Sequence, residues 1–499
     1  MKNTFLLFAF LFFASFSGIS QTKQPNILFL IADDWSFPHA GVYGDQVVRT
    51  PTFDRLAAEG ALFTNAYTAS PSCSPSRASV LTGRYPHQNG DGGNLWSEFP
   101  NANPTYVQIL EADGYFAGST RKGWGPGEYQ VTGFSHNPAG KSFEDFESFL
   151  TERPKDQPFT FWFGSTDPHR EYVPNTGIQS GMKLQDVRVP GFFPYNDCVR
   201  NDILDYYFEI ERFDRESGQL IAMLEEMGEL DNTIIVMTSD NGMPFPRAKA
   251  NLYDYGTRMP LAIRWNEKVK AGTVIHDFVN FVDFAPSFVE AAGLNQTSMS
   301  GQSLWALLAG EKQDRAQVYL ERERHANVRK GDLSYPMRAI RNQDYLYIWN
   351  PMPERNPAGN PTVHQSVGQF GDVDHSITKF LIIEMEGKAK PGQPDLFQLS
   401  FGQRPEEELY DVKNDPYQLR NLAAEPALSD VKSKMKSKLI QWMTDTGDLR
   451  ASDPRSTYWD EVRYTPNYQM EDTDVLKRIE EYRIMPPFGK YAKEGIPCN

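Results

Sequence analysis

Residues 26–34 read Asn-Ile-Leu-Phe-Leu-Ile-Ala-Asp-Asp, an apolar run that ends abruptly in two carboxylates. A run without polar alternation is how a strand covered on both faces reads, so Asn26–Ala32 is expected inside a sheet with helices on each side. Residues Thr50-Pro51 through Gly60 follow with a cap, a proline at the first helical position and a terminating glycine, the marks of a helix. Two further apolar runs, Phe159 to Gly164 and Thr233 to Thr238, also break into polar loops, Ser165-Thr166-Asp167-Pro168-His169 and Ser239-Asp240-Asn241-Gly242. Between them Asp202 to Leu230 places Ile210, Phe213, Leu220, Ile221 and Leu224 on one helical face. Strand, helix, strand predicts a parallel sheet. In such sheets ligands collect beyond the carboxyl ends of the strands, which is where the polar loops fall.

After about residue 300 the texture changes to short aromatic alternations such as Tyr345-Leu346-Tyr347-Ile348-Trp349, and a helix is expected near Leu428 to Thr444. The predicted organisation is an α/β domain over residues 21–300 and a smaller α+β domain with an antiparallel sheet over 301–499. Composition agrees with a globular body: 40% of the 499 residues are hydrophobic and 23% charged, close to ordinary soluble usage. The formal net charge of −15 argues against a nucleic-acid partner, so an anionic substrate would need its own basic pocket.

The chain opens with Met1-Lys2, the apolar run Phe5 to Phe16 and the small residues Ser17, Gly18 and Ser20. That is the form of a cleaved signal peptide over residues 1–20, predicting export to the periplasm or beyond. The run is shorter than the ~20 residues that span a bilayer, so no membrane anchor is expected. Three cysteines in an exported chain is an odd number. Cys198 and Cys498 could pair, which would leave Cys73 for a separate role.

Cys73 opens the stretch Cys73-Ser74-Pro75-Ser76-Arg77, which continues through Thr82 to Gly83-Arg84. Ser74 as cap, Pro75 in the first turn and Gly83 at the end predict a short helix with Cys73 at its N-terminus, where backbone N–H groups and the helix dipole favour an anion. Arg77, one turn in, adds a guanidinium whose fork suits tetrahedral oxyanions. The plain alternative is a buried structural cysteine beside a capped helix. The pairs Asp33-Asp34 and Asp240-Asn241 each follow a buried strand directly. Four oxygen donors without histidine suit a hard cation such as Ca²⁺ rather than Zn²⁺, although either pair alone reads as turn chemistry.

Cys73-x-Pro-x-Arg, followed by Ala78-Ser79-Val80-Leu81-Thr82-Gly83-Arg84, resembles the signature of type I, formylglycine-dependent sulfatases. The resemblance extends over nearly the whole mature chain and is nearest to heparan N-sulfatase (sulfamidase)-like bacterial sulfatases. It is carried also by His87-Gln88-Asn89-Gly90, Ser239-Asp240-Asn241-Gly242-Met243-Pro244-Phe245-Pro246, Ser334-Tyr335-Pro336-Met337-Arg338 and Glu408-Leu409-Tyr410-Asp411 with Asp415-Pro416. It implies an alkaline-phosphatase-like fold, a mixed but mostly parallel sheet flanked by helices. It implies that a maturation enzyme converts Cys73 to formylglycine, whose hydrated aldehyde is the nucleophile. It carries Asp33, Asp34, Asp240 and Asn241 over as ligands of one Ca²⁺, beside the oxygen at position 73.

Arg77, Lys122, His169 and Lys249 fall where the resemblance implies contacts to sulfate and leaving group. A sulfate ester brings a negative charge that must be held, and its leaving atom needs a proton. Two departures limit what is carried over. Arg121-Lys122-Gly123-Trp124 lacks the histidine of the family's Lys-x-His, and a shift of one residue would give the role of Lys122 to Arg121. Lys249 stands where the sulfamidase has arginine, and the two are not equivalent for bidentate contact. In Glu321-Arg322-Glu323-Arg324-His325, Arg324 and His325 are candidates for contacting sugar, against the alternative of a solvated run of charge. The implied substrate is a sulfated glycan, an O-sulfate ester or N-sulfoglucosamine. The rivals are a phosphoester or phosphonate hydrolase on the same scaffold and a non-catalytic glycan-binding protein.

Overall fold

The computed structural model describes residues 24–99, 101–295, 298–361 and 369–461. In chain order the large sheet takes β1 (Asn26–Ala32), β2 (Ala61–Tyr67), β3 (Phe116–Arg121), β4 (Lys141–Ser142), β5 (Phe159–Gly164), β6 (Thr233–Ser239), β7 (Arg258–Arg264), β8 (Thr273–Ile275) and β9 (Val279–Asn280). Its spatial order is β8-β2-β7-β6-β1-β5-β3-β4, with β9 beside β2. Only β7 runs against its neighbours, so the sheet is mixed and mostly parallel.

β1 lies at the centre with every residue buried, as its unbroken apolar run predicts. Its side chains alternate between two cores. Leu28 and Leu30 face a cluster containing Phe53 and Leu56 of α1 (Pro51–Glu59), and Ile27, Phe29 and Ile31 face one containing Val80 and Leu81 of α2 (Cys73–Thr82). The first core also takes Ile203, Ile210, Phe213 and Leu220 of α3 (Asp197–Glu226), and the second takes Phe284 and Phe288 of α4 (Phe284–Ala291). α3 starts five residues before the helical periodicity becomes visible, because the Asn196 side chain accepts the Val199 N–H and caps it.

The second sheet is antiparallel, β10 (Gln317–Arg322), β11 (Met337–Asn342), β12 (Tyr345–Trp349) and β13 (Glu407–Asp411), in that order. The alternation in β12 is used as expected: Leu346 and Ile348 face Tyr67, Leu252 and Tyr253, whereas Tyr347 and Trp349 face Met435, Leu439 and Trp442 of the helix at Ser429–Thr446. The alternative of a solvated run of charge at Glu321–His325 is overturned, since all five residues are buried. Arg338 of β11 pairs with Glu323 and Asp448, and Arg322 with Asp372, so the run is an internal ion network.

The expected signal peptide at residues 1–20 and Cys498, the candidate partner of Cys198, lie outside the described residues. Among the described residues no helix is long and apolar enough to cross a membrane.

Candidate active site

Strand register assembles the acidic pairs. Ala32, the last residue of β1, is the partner of Ser239, the last of β6, so Asp33-Asp34 and Asp240-Asn241 leave the sheet side by side. Asp34 N–H and Asn241 N–H both donate to Asp240 Oδ1, at 3.1 and 2.7 Å, and Asn241 Nδ2 donates to Asp34 Oδ1 at 2.5 Å. Asp33, Asp34, Cys73 and Asp240 each offer a ligand atom within 4.8 Å of the others. The buried Asn241 Oδ1 has no hydrogen-bond partner, a cost that a cation would remove. Hard oxygen donors and an unmet acceptor fit a divalent cation.

Cys73 is the first residue of α2, but Ser72 rather than Ser74 occupies the cap position. The Ser72 hydroxyl meets His325 Nδ1 at 2.8 Å, while Ser74 Oγ donates to the Pro126 carbonyl. Pro75 is tolerated as the third helical residue because first-turn N–H groups have no partner within the helix. The helix ends at Gly83, left-handed at φ 65°, where a Cβ would lie 3.0 Å from Met299 Sδ. The Cys73 thiol donates weakly to Asp33 Oδ1 at 3.5 Å. Burial pushes its pKa well above the ordinary thiol value, with Lys122 pulling against and Asp33 and Asp240 adding to the rise. A thiol held protonated is a poor nucleophile.

Each carboxylate has its cation. Arg77 Nε donates to Asp240 Oδ2 at 2.8 Å, Lys122 Nζ to both oxygens of Asp33 at 2.7 and 2.6 Å, and Lys249 Nζ to Asp34 Oδ2 at 2.5 Å. Burial works to raise the Asp33 pKa, yet Lys122, His169, Arg77 and Lys249 together hold it far below the usual carboxylate range. At Asp34 burial prevails and pushes the pKa up to about 6 despite Lys249. A divalent cation would reverse that balance and keep the group ionised. Lys249 stays protonated: burial opposes its charge, but Asp34 and Asp374 lift its pKa well above the usual value.

A cleft of about 710 Å³ opens onto this cluster, lined by Asp33, Cys73, Lys122, His169, Lys249 and His325, among others. Lys122, not Arg121, reaches the cluster: the Arg121 guanidinium turns to Glu216, 2.5 Å away. Arg77 is not on the cleft wall but fully buried, where its NH1 also donates to the carbonyls of Lys122 and Gly123. His169 Nδ1 sits 2.6 Å from the Arg170 carbonyl. A carbonyl only accepts, so Nδ1 carries a proton and Nε2 is the nitrogen turned to Asp34 and Asp374, 3.9 Å from each. His325 and Ala326 line the cleft. Arg324 does not; it is buried, with NH1 on the Asp332 carbonyl.

Asp374 escaped sequence reasoning. It lies 3.0 Å from Lys249 Nζ, 125 residues away in sequence, in a stretch without any motif. Only the cleft itself marks it.

Residues 25–294 match the family described as Sulfatase, and residues 247–350 match that described as N-sulphoglucosamine sulphohydrolase, C-terminal. An ulvan-active sulfatase of Formosa agariphila is 28% identical over 457 residues, covering 87% of this chain and 82% of the relative. The human N-sulphoglucosamine sulphohydrolase is 27% identical over 498 residues, covering 86% of this chain and 92% of the relative. A protein solved in complex with its substrate D-glucosamine-2-N,6-O-disulfate superposes with a TM-score of 0.62 at 21% identity, covering 86% of this chain and all of the other, a likeness of fold. The first match alone takes in more than half of the chain, including β1, α2 and the loop after β6 that build the cluster, and on this evidence the chain belongs to the sulfatase family.

Proposed function

We propose that this protein is an exported sulfatase that removes sulfate groups from a sulfated glycan, using residue 73, converted from cysteine to formylglycine, as its nucleophile. The observation that carries the reading is the position of Cys73: its Sγ lies among Asp33, Asp34 and Asp240 at the floor of a cleft lined by Lys122, His169 and Lys249. Ca²⁺ held by Asp33, Asp34, Asp240 and Asn241 would supply positive charge for the sulfate oxygens. The hydrated aldehyde would supply the attacking oxygen and, by reverting to the aldehyde, a route to release sulfate. Lys122 and Lys249 hold the sulfate oxygens with protonated ammonium groups. His169 delivers a proton from Nε2 to the departing sugar oxygen or nitrogen. Arg77 acts from behind the cluster, fixing Asp240 and the Lys122 carbonyl.

The substrate is taken as an O-sulfate ester within a polysaccharide or its oligosaccharides, in line with the ulvan-active relative. N-sulfoglucosamine is the second reading, supported by the match over residues 247–350. A maturation enzyme acting on Cys73 is the implied partner, and residues 1–20 would direct export. The boundary near residue 300 gives a catalytic unit over 21–300 and a second unit over 301–499 that contributes His325 and Asp374 to the cleft. Sulfate release over a panel of defined sulfated oligosaccharides, with matched phosphate esters alongside, tests the reaction. Mass spectrometry of the peptide containing residue 73 tests its conversion. Cysteine unmodified throughout, in a host that makes the maturation enzyme, would overturn the mechanism.

A further inference from the structure

Among the described residues that line the cleft, only Asp33 and Asp374 carry carboxylates, and Asp33 belongs to the acidic cluster. Asp374 stands beside that cluster, its carboxylate within 4.8 Å of that of Asp34 and of the His169 ring, and it brings a further negative charge to a cavity built to receive an anion. Its neighbour Asp372 shows what a structural carboxylate in this segment looks like: 1% exposed, bonded to Arg322, Arg329 and the Ala326 N–H. The Asp374 side chain is 20% exposed and has Lys249 as its ion-pair partner, 3.0 Å from Oδ2. Lys249 also pairs with Asp34 at 2.5 Å, so one ammonium is shared between two carboxylates. Asp374 Oδ1 lies 3.9 Å from His169 Nε2, beyond hydrogen-bond reach, which leaves an acceptor beside the nitrogen that meets the leaving atom.

The geometry points to Asp374 as a specificity-determining residue: it selects sugars with a hydroxyl or ammonium next to the scissile sulfate and excludes those with a second sulfate or a carboxylate there. This rests on the proposed function, because it takes the sulfur to sit at residue 73 and the leaving atom at His169. In that pose the substituent on the neighbouring ring carbon comes to Oδ1. A donor is bound by a charge-assisted hydrogen bond, and a second anion meets the Asp374 carboxylate as like charge.

The test uses sugar pairs differing only at that neighbour: a hexose 2-sulfate against its 2,3-disulfate, and glucosamine N-sulfate against its 3-O-sulfated form. Whichever pair is hydrolysed, the mature enzyme is expected to favour the monosulfated member at least tenfold in kcat/KM. Asp374→Asn, isosteric and neutral, is expected to bring that ratio to within about threefold of unity. Both rates are measured on one preparation, so a loss of folded protein or a looser Lys249 cancels from the ratio. A wild-type enzyme indifferent to the second sulfate, or an Asp374→Asn enzyme that slows both members equally, overturns the assignment. If no sugar releases sulfate, it is the reaction reading that fails. Calorimetric binding of the same pairs to Cys73→Ala, with and without Asp374→Asn, then decides the role of Asp374 by the same tenfold criterion.

Discussion

Cys73 sits where a thiol has little to do as a thiol. Burial and two carboxylates keep its proton on, and its polar contact among the described residues is the 3.5 Å approach to Asp33. Cys73→Ala is therefore expected to leave the melting temperature almost unchanged while cutting sulfate release roughly 10⁴- to 10⁶-fold, the scale of losing a nucleophile. Calorimetry and an ion-chromatographic sulfate assay read the two halves. His325 makes a different prediction. Burial, with Lys249 and Arg322 nearby, pulls its pKa down to about 3, Asp372 and Asp374 only partly opposing. The folded protein thus keeps His325 neutral at acidities where the unfolded chain, with a pKa near 6.5, takes a proton. Its contribution is intact above about pH 6.5 and is lost as pH falls towards 3, at no more than about 1.4 kcal/mol per pH unit. His325→Gln is expected to flatten that part of the stability curve in urea titrations between pH 4 and 7. The acidic pairs and the stretch around Cys73 were legible in the sequence as local patterns, whereas Lys122, His169 and Lys249 were placed by resemblance, with Arg121 left as the alternative to Lys122. Asp374 was reached by neither, because no local pattern marks a residue placed only by a tertiary contact.

The site depends on elements ending in step. Ile31 and Arg121 are each register partners of Gly164, in β1–β5 and β3–β5, so the loops carrying Asp33 and Lys122 emerge together. Gly164 is indispensable to this meeting: a Cβ there would stand 1.7 Å from the Lys122 carbonyl oxygen, which also accepts from Arg77 NH1 at 2.7 Å and Trp162 Nε1 at 3.0 Å. Gly164→Ala is expected to cost about 1–3 kcal/mol by overpacking, and to lower kcat by about 100-fold as Lys122 and Arg77 shift. Denaturant melts and steady-state kinetics on one preparation check both. The strands themselves were readable from apolar runs. Helix boundaries were read less well: Ser72, at the cap position of α2, turns its hydroxyl to His325, and α3 begins beyond Asn196, which accepts the Val199 N–H ahead of any apolar periodicity.

Across the molecule, three buried carboxylates converge from two distant stretches of chain. A divalent cation bound there ties the end of β1 to the end of β6 only in the folded state, so binding adds directly to stability. On the proposed metal site, treating the enzyme with a chelator is expected to abolish sulfate release and lower the melting temperature. Restoring Ca²⁺ at about 100 times its Kd should return about 2.7 kcal/mol. Mg²⁺ should return less, because it demands a tighter octahedral shell. Asp240→Asn should weaken the response to Ca²⁺, seen in melts at graded Ca²⁺.

What the sequence by itself determined was the central strand, the α/β character, the acidic pairs at strand ends and the cysteine at a helix start. These follow from hydrophobic periodicity and residue types within a few positions of one another, where local chemistry is strong enough to be read in one dimension. The tertiary structure alone decided which cations face which carboxylates. It turned Arg77 into a clamp behind the cluster, buried the charge run at 321–325 as an ion network, and brought His325 and Asp374 to the cleft. Those outcomes depend on strand register and on the second sheet packing against Tyr67 of β2 and the loop at Leu252 and Tyr253. Long-range pairing of that kind leaves no mark on the stretches it joins.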